Sequence, residues 1–83
     1  MAETLEWDDT PRKRNAAGQR YTHSVRDGCM THKCYAPWWG LRRVAEAYTN
    51  PYDGTDITIV VEHLRSGQHA RFAWHTKEKY TSG

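Results

Sequence analysis

Large aliphatic side chains are scarce in this sequence: its 83 residues include three Leu, two Ile and four Val. No stretch of about 18 apolar residues exists, which excludes a helix that crosses a bilayer. Cysteine is limited to Cys29 and Cys34, too few for the disulfide frameworks that hold many small secreted domains together. A nucleophile elbow and a glycine-rich phosphate loop are both missing, and so short a chain has little room for a preorganised pocket, so binding is expected rather than catalysis. No cofactor is expected either. The start of the chain carries Glu3, Glu6, Asp8 and Asp9, the opposite of a basic, apolar secretory leader. A cytoplasmic location is the expectation.

Aromatic residues are plentiful by comparison, with four Trp, five Tyr and one Phe. Each removes roughly 150–250 Å² from water when buried. A domain of this size buries only about 60–65% of the surface its unfolded chain exposes. The core must therefore lean on its rings, and any Trp left outside it is a candidate contact residue.

Charge is unevenly spread. The net value is +2, yet residues 1–10 sum to −4, residues 11–43 to +7 and residues 44–83 to −1. The basic block holds Arg12, Lys13, Arg14, Arg20, Arg26, Lys33, Arg42 and Arg43 against Asp27 alone. Such blocks attract nucleic acid or an acidic protein surface; an ordinary solvated face is the plainer alternative.

Residues 1–19 lack apolar periodicity and read as a flexible N-terminal arm, in which Trp7 is expected to dock on its own domain. Residues 20–83 read as a single α+β domain. From Arg20 to Tyr35 the pattern is that of a hairpin turning at Asp27-Gly28, the pairing that a type I′ turn favours. That register sets Val25 opposite Met30, His23 opposite His32 and Tyr21 opposite Cys34. A helix is expected from Pro37 to Tyr48, since proline suits the first helical position and Leu41, Val44, Ala45 and Tyr48 form one apolar stripe extended by Trp38. Arg42 and Glu46 fall at i,i+4. The β-branched run Ile57–Val61 and the return segment His69–His75 form a second hairpin with Ser66-Gly67 at its turn. Its expected register sets Glu62 opposite Arg71 and Ile59 opposite Trp74, with Ile57, Ile59, Val61, Ala70, Phe72 and Trp74 on one face. Helix stripe and hairpin face can bury one another in a small two-layer domain, an antiparallel sheet on one helix in the order β-β-α-β-β, or β-α-β-β if Arg20–Arg26 is a lone strand.

Five His and two Cys raise a zinc reading, with His23, His32 and Cys34 as candidate ligands on one hairpin face. The second Cys or His pair of a structural zinc site is lacking, so half-buried strand cysteines and ordinary surface histidines are the plainer account and no metal is expected. Cys29 and Cys34 lie on opposite faces of this hairpin and do not present their Cβ atoms for a disulfide.

The segment from Lys33 to Arg43 is the most informative. On a helix, Trp38 and Trp39 lie about 100° apart, so with Trp38 inward Trp39 would turn outward beside Lys33, Tyr35, Arg42 and Arg43. Trp, Tyr and Arg are enriched at protein hot spots and also grip single-stranded nucleic acid by stacking and charge; a Trp39 that merely fills a gap is the bland alternative. The expected partner surface is Lys33, Tyr35, Trp39, Arg42, Arg43, Arg26 and Arg20, with arm contacts from Arg12, Lys13 and Arg14. The expected function is a non-enzymatic module, an inhibitor or adaptor docking on a larger protein or nucleoprotein complex. In size and architecture alone it resembles the small host-takeover proteins of bacteriophages. The alternative is a protein that binds single-stranded DNA or RNA through the basic block 11–43.

Overall fold

Alternation of apolar and polar side chains from Asp56 to Ile59 suits a strand with one buried face. In the computed structural model, which describes residues 5–76, that strand lies inside a four-stranded antiparallel sheet. The elements are β1 (His23–Asp27), β2 (Met30–Cys34), α1 (Leu41–Thr49), β3 (Asp56–His63) and β4 (His69–His75), with sheet order β2-β1-β3-β4. The order β-β-α-β-β is therefore the correct one of the two expected, and the domain is α+β. Among the described residues no helix is long and apolar enough to cross a membrane.

One sheet face carries Val25, Cys34, Ile57, Ile59 and Val61, all buried against Val44, Ala45 and Tyr48 of α1. Trp39, Leu41, Phe72, Trp74, Leu5 and Trp7 pack around this core, each partly buried. The rings thus close the rim of an aliphatic centre that is small for want of aliphatic residues. No described helix packs on the other sheet face.

Both hairpins differ from the expected register by two residues, and in both the turn chemistry explains it. His23 pairs with Cys34, Val25 with His32 and Asp27 with Met30, so Gly28 and Cys29 occupy the turn. A type I′ turn centred on Asp27-Gly28 would need positive φ at both positions. No described residue other than glycine has positive φ, and Gly28 has φ +63°. Glycine at the first central position is the pattern of a type II′ turn, and it leaves Asp27 in the ladder to accept a hydrogen bond from the Tyr48 hydroxyl (3.0 Å). A two-residue slip keeps every side chain on its face, whereas a one-residue slip would invert them all. Gly28→Ala is expected to cost about 1–2 kcal/mol from the left-handed backbone. No clash contributes, since nothing lies within 4 Å of the added Cβ; urea unfolding checks this.

In the second hairpin Glu62 pairs with His69, Val60 with Arg71 and Ile59 with Phe72. The expected Glu62–Arg71 and Ile59–Trp74 pairs are not formed. The connection is longer than Ser66-Gly67 because His63 closes it: its N–H donates to the Gln68 carbonyl (2.7 Å), its carbonyl accepts from Gly67 (2.8 Å), and its ring nitrogen meets Ser66 Oγ (3.1 Å). Gly67 supplies the left-handed residue, at φ +77°.

The helix starts at Leu41 rather than Pro37. Trp39 N–H donates to the Ala36 carbonyl (3.1 Å), closing a turn in which Pro37 sits at the second position, where its fixed φ fits. Gly40 is the N-cap, with extended φ −80° and ψ 174° and no side-chain cap. Val44, Ala45, Tyr48 and Thr49 are buried, and the chain leaves the helix at Asn50 before Pro51. The Arg42–Glu46 pair is present at 3.7 Å on the solvent side, where such pairs are worth a few tenths of a kcal/mol.

The segment before β1 runs along the outer edge of β2. Asp8 and Lys33 exchange backbone hydrogen bonds of 3.0 and 2.7 Å, the Tyr21 hydroxyl donates to the Asp8 carboxylate, and Lys33 Nζ donates to the Arg12 carbonyl (3.2 Å). Trp7 does dock on its own domain, its ring edge-to-face with Tyr48 at 5.1 Å.

Candidate functional site

With the helix beginning at Leu41, Trp38 and Trp39 are not helical neighbours, and the expected division between them is reversed. The turn at Ala36–Trp39 projects Trp38 into solvent, 92% exposed. Trp39 is the one that packs against the core. The guanidinium of Arg43 lies over the Trp39 ring at 4.1 Å from its centroid, and that of Arg42 over the Trp74 ring at 5.5 Å. Phe72 and Trp74 touch in turn, with centroids 5.6 Å apart. Each cation–π contact is worth about 0.5–1 kcal/mol at a surface, which biases each guanidinium toward its ring.

This end of α1 is built against helix stability. It has no acidic residue in its first turn, no side-chain cap at Gly40, and two arginines where the helix dipole is already positive. An exposed Trp sits beside it. Local choices that oppose the fold at one place are characteristic of functional surfaces.

The other expected contact residues lie elsewhere. Arg26 and Lys33 project from the open sheet face, where Arg26 neighbours Val60 on β3 and Val60 neighbours Arg71 on β4. Arg26, Lys33, Val60, Glu62 and Leu64 line a shallow groove of about 190 Å³ there. Arg20 bridges to Arg14, near Arg12 and Lys13 in the segment beside β2. Tyr35 lines a depression of about 430 Å³ with Tyr21, Leu5, Asp8 and Gln19. The expected single basic aromatic surface is thus divided: Arg43 lies on Trp39 and Arg42 on Trp74 at the start of α1, just after Trp38 in the chain, while Arg26, Lys33, Arg12, Lys13, Arg14 and Arg20 belong to the open sheet face or the segment beside β2. Trp38 and Trp74 were not among the expected contacts. The signal for Trp38 was in the chain, since Ala36-Pro37-Trp38-Trp39-Gly40 places Pro and Gly as a turn would.

The three candidate zinc ligands do not converge. His23 faces Cys34 across β1 and β2, but His32 sits opposite Val25 and tilts against Tyr48 at 5.5 Å. Among the described residues no group of three or more His, Cys, Asp or Glu is placed to hold a metal ion. His23 is fully buried, sharing a hydrogen bond through Nδ1 with Thr22 Oγ1 (2.8 Å), while its Nε2 has no partner. The His63 ring stands edge-on to it at 5.1 Å. Burial, and then His63, lower the His23 pKa. Both cysteines are free, Cys29 at the surface and Cys34 inside. Burial pushes the Cys34 thiol up to about 12, so it stays protonated at neutral pH.

No protein-family model matches this chain, and no curated protein or solved structure matches it either.

Proposed function

We propose that the protein is a small non-enzymatic binding module, an inhibitor or adaptor that docks on a larger protein or nucleoprotein partner through the surface centred on Trp38. The exposure of Trp38 carries this reading. A tryptophan in water contributes nothing to the fold, and burying its roughly 200 Å² in a partner pocket is worth up to about 5 kcal/mol at 25 cal/mol per Å². Trp38 is followed in the chain by Trp39, over which Arg43 lies, and by Arg42, which lies over Trp74, and Trp with Arg is the composition of protein hot spots. A buried, protonated Cys34 is not a nucleophile, and Cys29 sits in the first hairpin turn, where no described histidine lies across the ladder from it.

The nucleic-acid alternative rests on the open sheet face. That face carries Arg26, Lys33 and Arg71, but Glu62 and Asp56 stand among them, and its strand positions hold no Trp, Tyr or Phe among the described residues. Single-strand binding by stacking needs such rings.

The test is affinity capture of a partner, followed by titration of wild type and Trp38→Ala against it. Trp38→Ala is expected to weaken binding at least about thirtyfold, with a melting temperature close to wild type because the side chain is exposed. Equal affinity of the two would remove Trp38 from the interface. Strong, salt-dependent binding to single-stranded DNA or RNA that is lost in Arg26→Ala/Lys33→Ala/Arg71→Ala, with no protein captured, would overturn the reading in favour of nucleic acid.

A further inference from the structure

The two edges of the sheet are treated differently by the chain. At β2 the incoming segment exchanges hydrogen bonds between Asp8 and Lys33, covering part of that edge. At β4 no described segment pairs with the outer side. The strand His69-Ala70-Arg71-Phe72-Ala73-Trp74-His75 is also lightly protected for an edge: it lacks proline, glycine and lysine, and Arg71 is its only residue of full charge.

Its hydrogen-bonding side can be assigned. The Gln68 carbonyl accepts from His63, and Thr76 N–H donates to the Thr55 carbonyl (2.7 and 2.9 Å). Residues 68 and 76 therefore turn their backbone toward β3, and so do Ala70, Phe72 and Trp74 between them. His69, Arg71, Ala73 and His75 turn their N–H and C=O groups outward.

We infer that β4 is a self-pairing edge, at which a second copy of this chain adds antiparallel, with Phe72 on the two-fold axis, to make one continuous eight-stranded sheet. The sequence of the strand is complementary to itself in that register. Arg71 and Ala73 meet as hydrogen-bonded partners, as do His69 and His75, so the outward groups of the strand find partners along its whole length. On the buried-side face, Phe72 meets Phe72 and each Trp74 meets the small Ala70, a large-to-small match. On the open face each Arg71 meets an alanine rather than another arginine. A dyad through Arg71 would set that cation against itself. A dyad through Ala73 would leave His69 and Ala70 outside the part of the ladder that β4 forms with itself. Phe72 and Trp74 are only partly buried in one copy, and the second copy covers them further. This goes beyond the proposed docking surface, and is measured on the protein alone.

The experiment is sedimentation equilibrium of the full chain, with circular dichroism as a control for folding. Wild type is expected to form a concentration-dependent dimer; a chain monomeric up to millimolar concentration would overturn the inference. Ala73 is exposed, so its substitution tests pairing rather than packing. Ala73→Arg opposes two arginine pairs per dimer and is expected to weaken association roughly tenfold. Ala73→Glu creates two opposite-charge pairs and is expected to strengthen it. The swap Arg71→Glu/Ala73→Arg restores both pairs and is expected to restore the dimer. A dimer indifferent to all three changes uses another surface, and the inference fails. Loss of partner capture in Ala73→Arg with no dimer in wild type would assign the edge to a partner's strand instead, which also overturns self-pairing.

Discussion

Tyr48→Ala is expected to bring this domain to the edge of unfolding. Among the described residues Tyr48 is the buried ring of the core cluster with the most ring contacts. Its ring stands edge-to-face with Trp7 at 5.1 Å, against His32 at 5.5 Å and near Tyr52 at 6.1 Å. Its hydroxyl donates to Asp27 beside the first turn. The residue thus ties together the N-terminal segment, β2, the end of β1 and the helix it belongs to. Removing a buried aromatic ring costs about 3–5 kcal/mol. A native chain of this size has a total stability of only roughly 4–12 kcal/mol, and each lost kcal/mol lowers the melting temperature of a small domain by about 4–8 °C. A fall of about 15–30 °C in a thermal melt is the expected outcome. Tyr48→Phe separates the ring from the hydroxyl. Burial and the Asp27 hydrogen bond raise the Tyr48 pKa, so the phenol stays a donor across the neutral range, and its loss should cost about 1 kcal/mol. A Tyr48→Ala protein that melts within a few degrees of wild type would mean that this cluster does not hold the layers together.

The same ring shows what could be read from the sequence. The stripe Leu41, Val44, Ala45 and Tyr48 marks the buried side of the helix, and the alternation through Ile57, Ile59 and Val61 marks the buried side of the sheet. Both are periodic signals that survive local error, which is why each hairpin slipped by two residues without moving a side chain to the wrong face. The slips themselves lie in turn chemistry. Asp27-Gly28 and Ser66-Gly67 both mark a turn, but the sign of φ at the non-glycine partner and the closing role of the His63 side chain depend on the folded backbone. The site was harder to read for a related reason. Pro37 fits both a helix start and the second position of a turn, and taking the helix exchanged the roles of Trp38 and Trp39. Arg42 lies over Trp74, which belongs to a strand more than thirty residues away in the chain, and no local pattern reports such a pairing. The basic block was real as composition, yet alternation along β1 and β2 sends Arg26 and Lys33 to the open face while the helix carries Arg42 and Arg43.

Acidification below pH 6.5 should destabilise the domain through His23. The unfolded chain binds a proton at this residue near pH 6.5. In the folded domain burial comes first, and the neighbouring His63 second, in holding its pKa lower; the Trp39 backbone opposes them weakly. Among the described residues no carboxylate compensates: across the ladders stand Cys34, protonated, and His63, with Thr22 at Nδ1. Between the two pKa values the unfolded state binds more protons than the folded one, so stability rises with pH there. It is complete above the unfolded value and is lost as pH falls from about 6.5 through the lower folded value. One proton gives a slope of at most about 1.4 kcal/mol per pH unit. Urea unfolding at intervals from pH 7.5 to 5 should show this slope in wild type and a flatter profile in His23→Leu, which cannot titrate. His63→Gln should give an intermediate slope, because it removes the second cause of the shift and leaves burial in place. An NMR titration of the His23 ring should have its midpoint below 6.5. A midpoint at or above that value, with parallel urea profiles for wild type and His23→Leu, would show that the buried imidazole is not the acid-sensitive group.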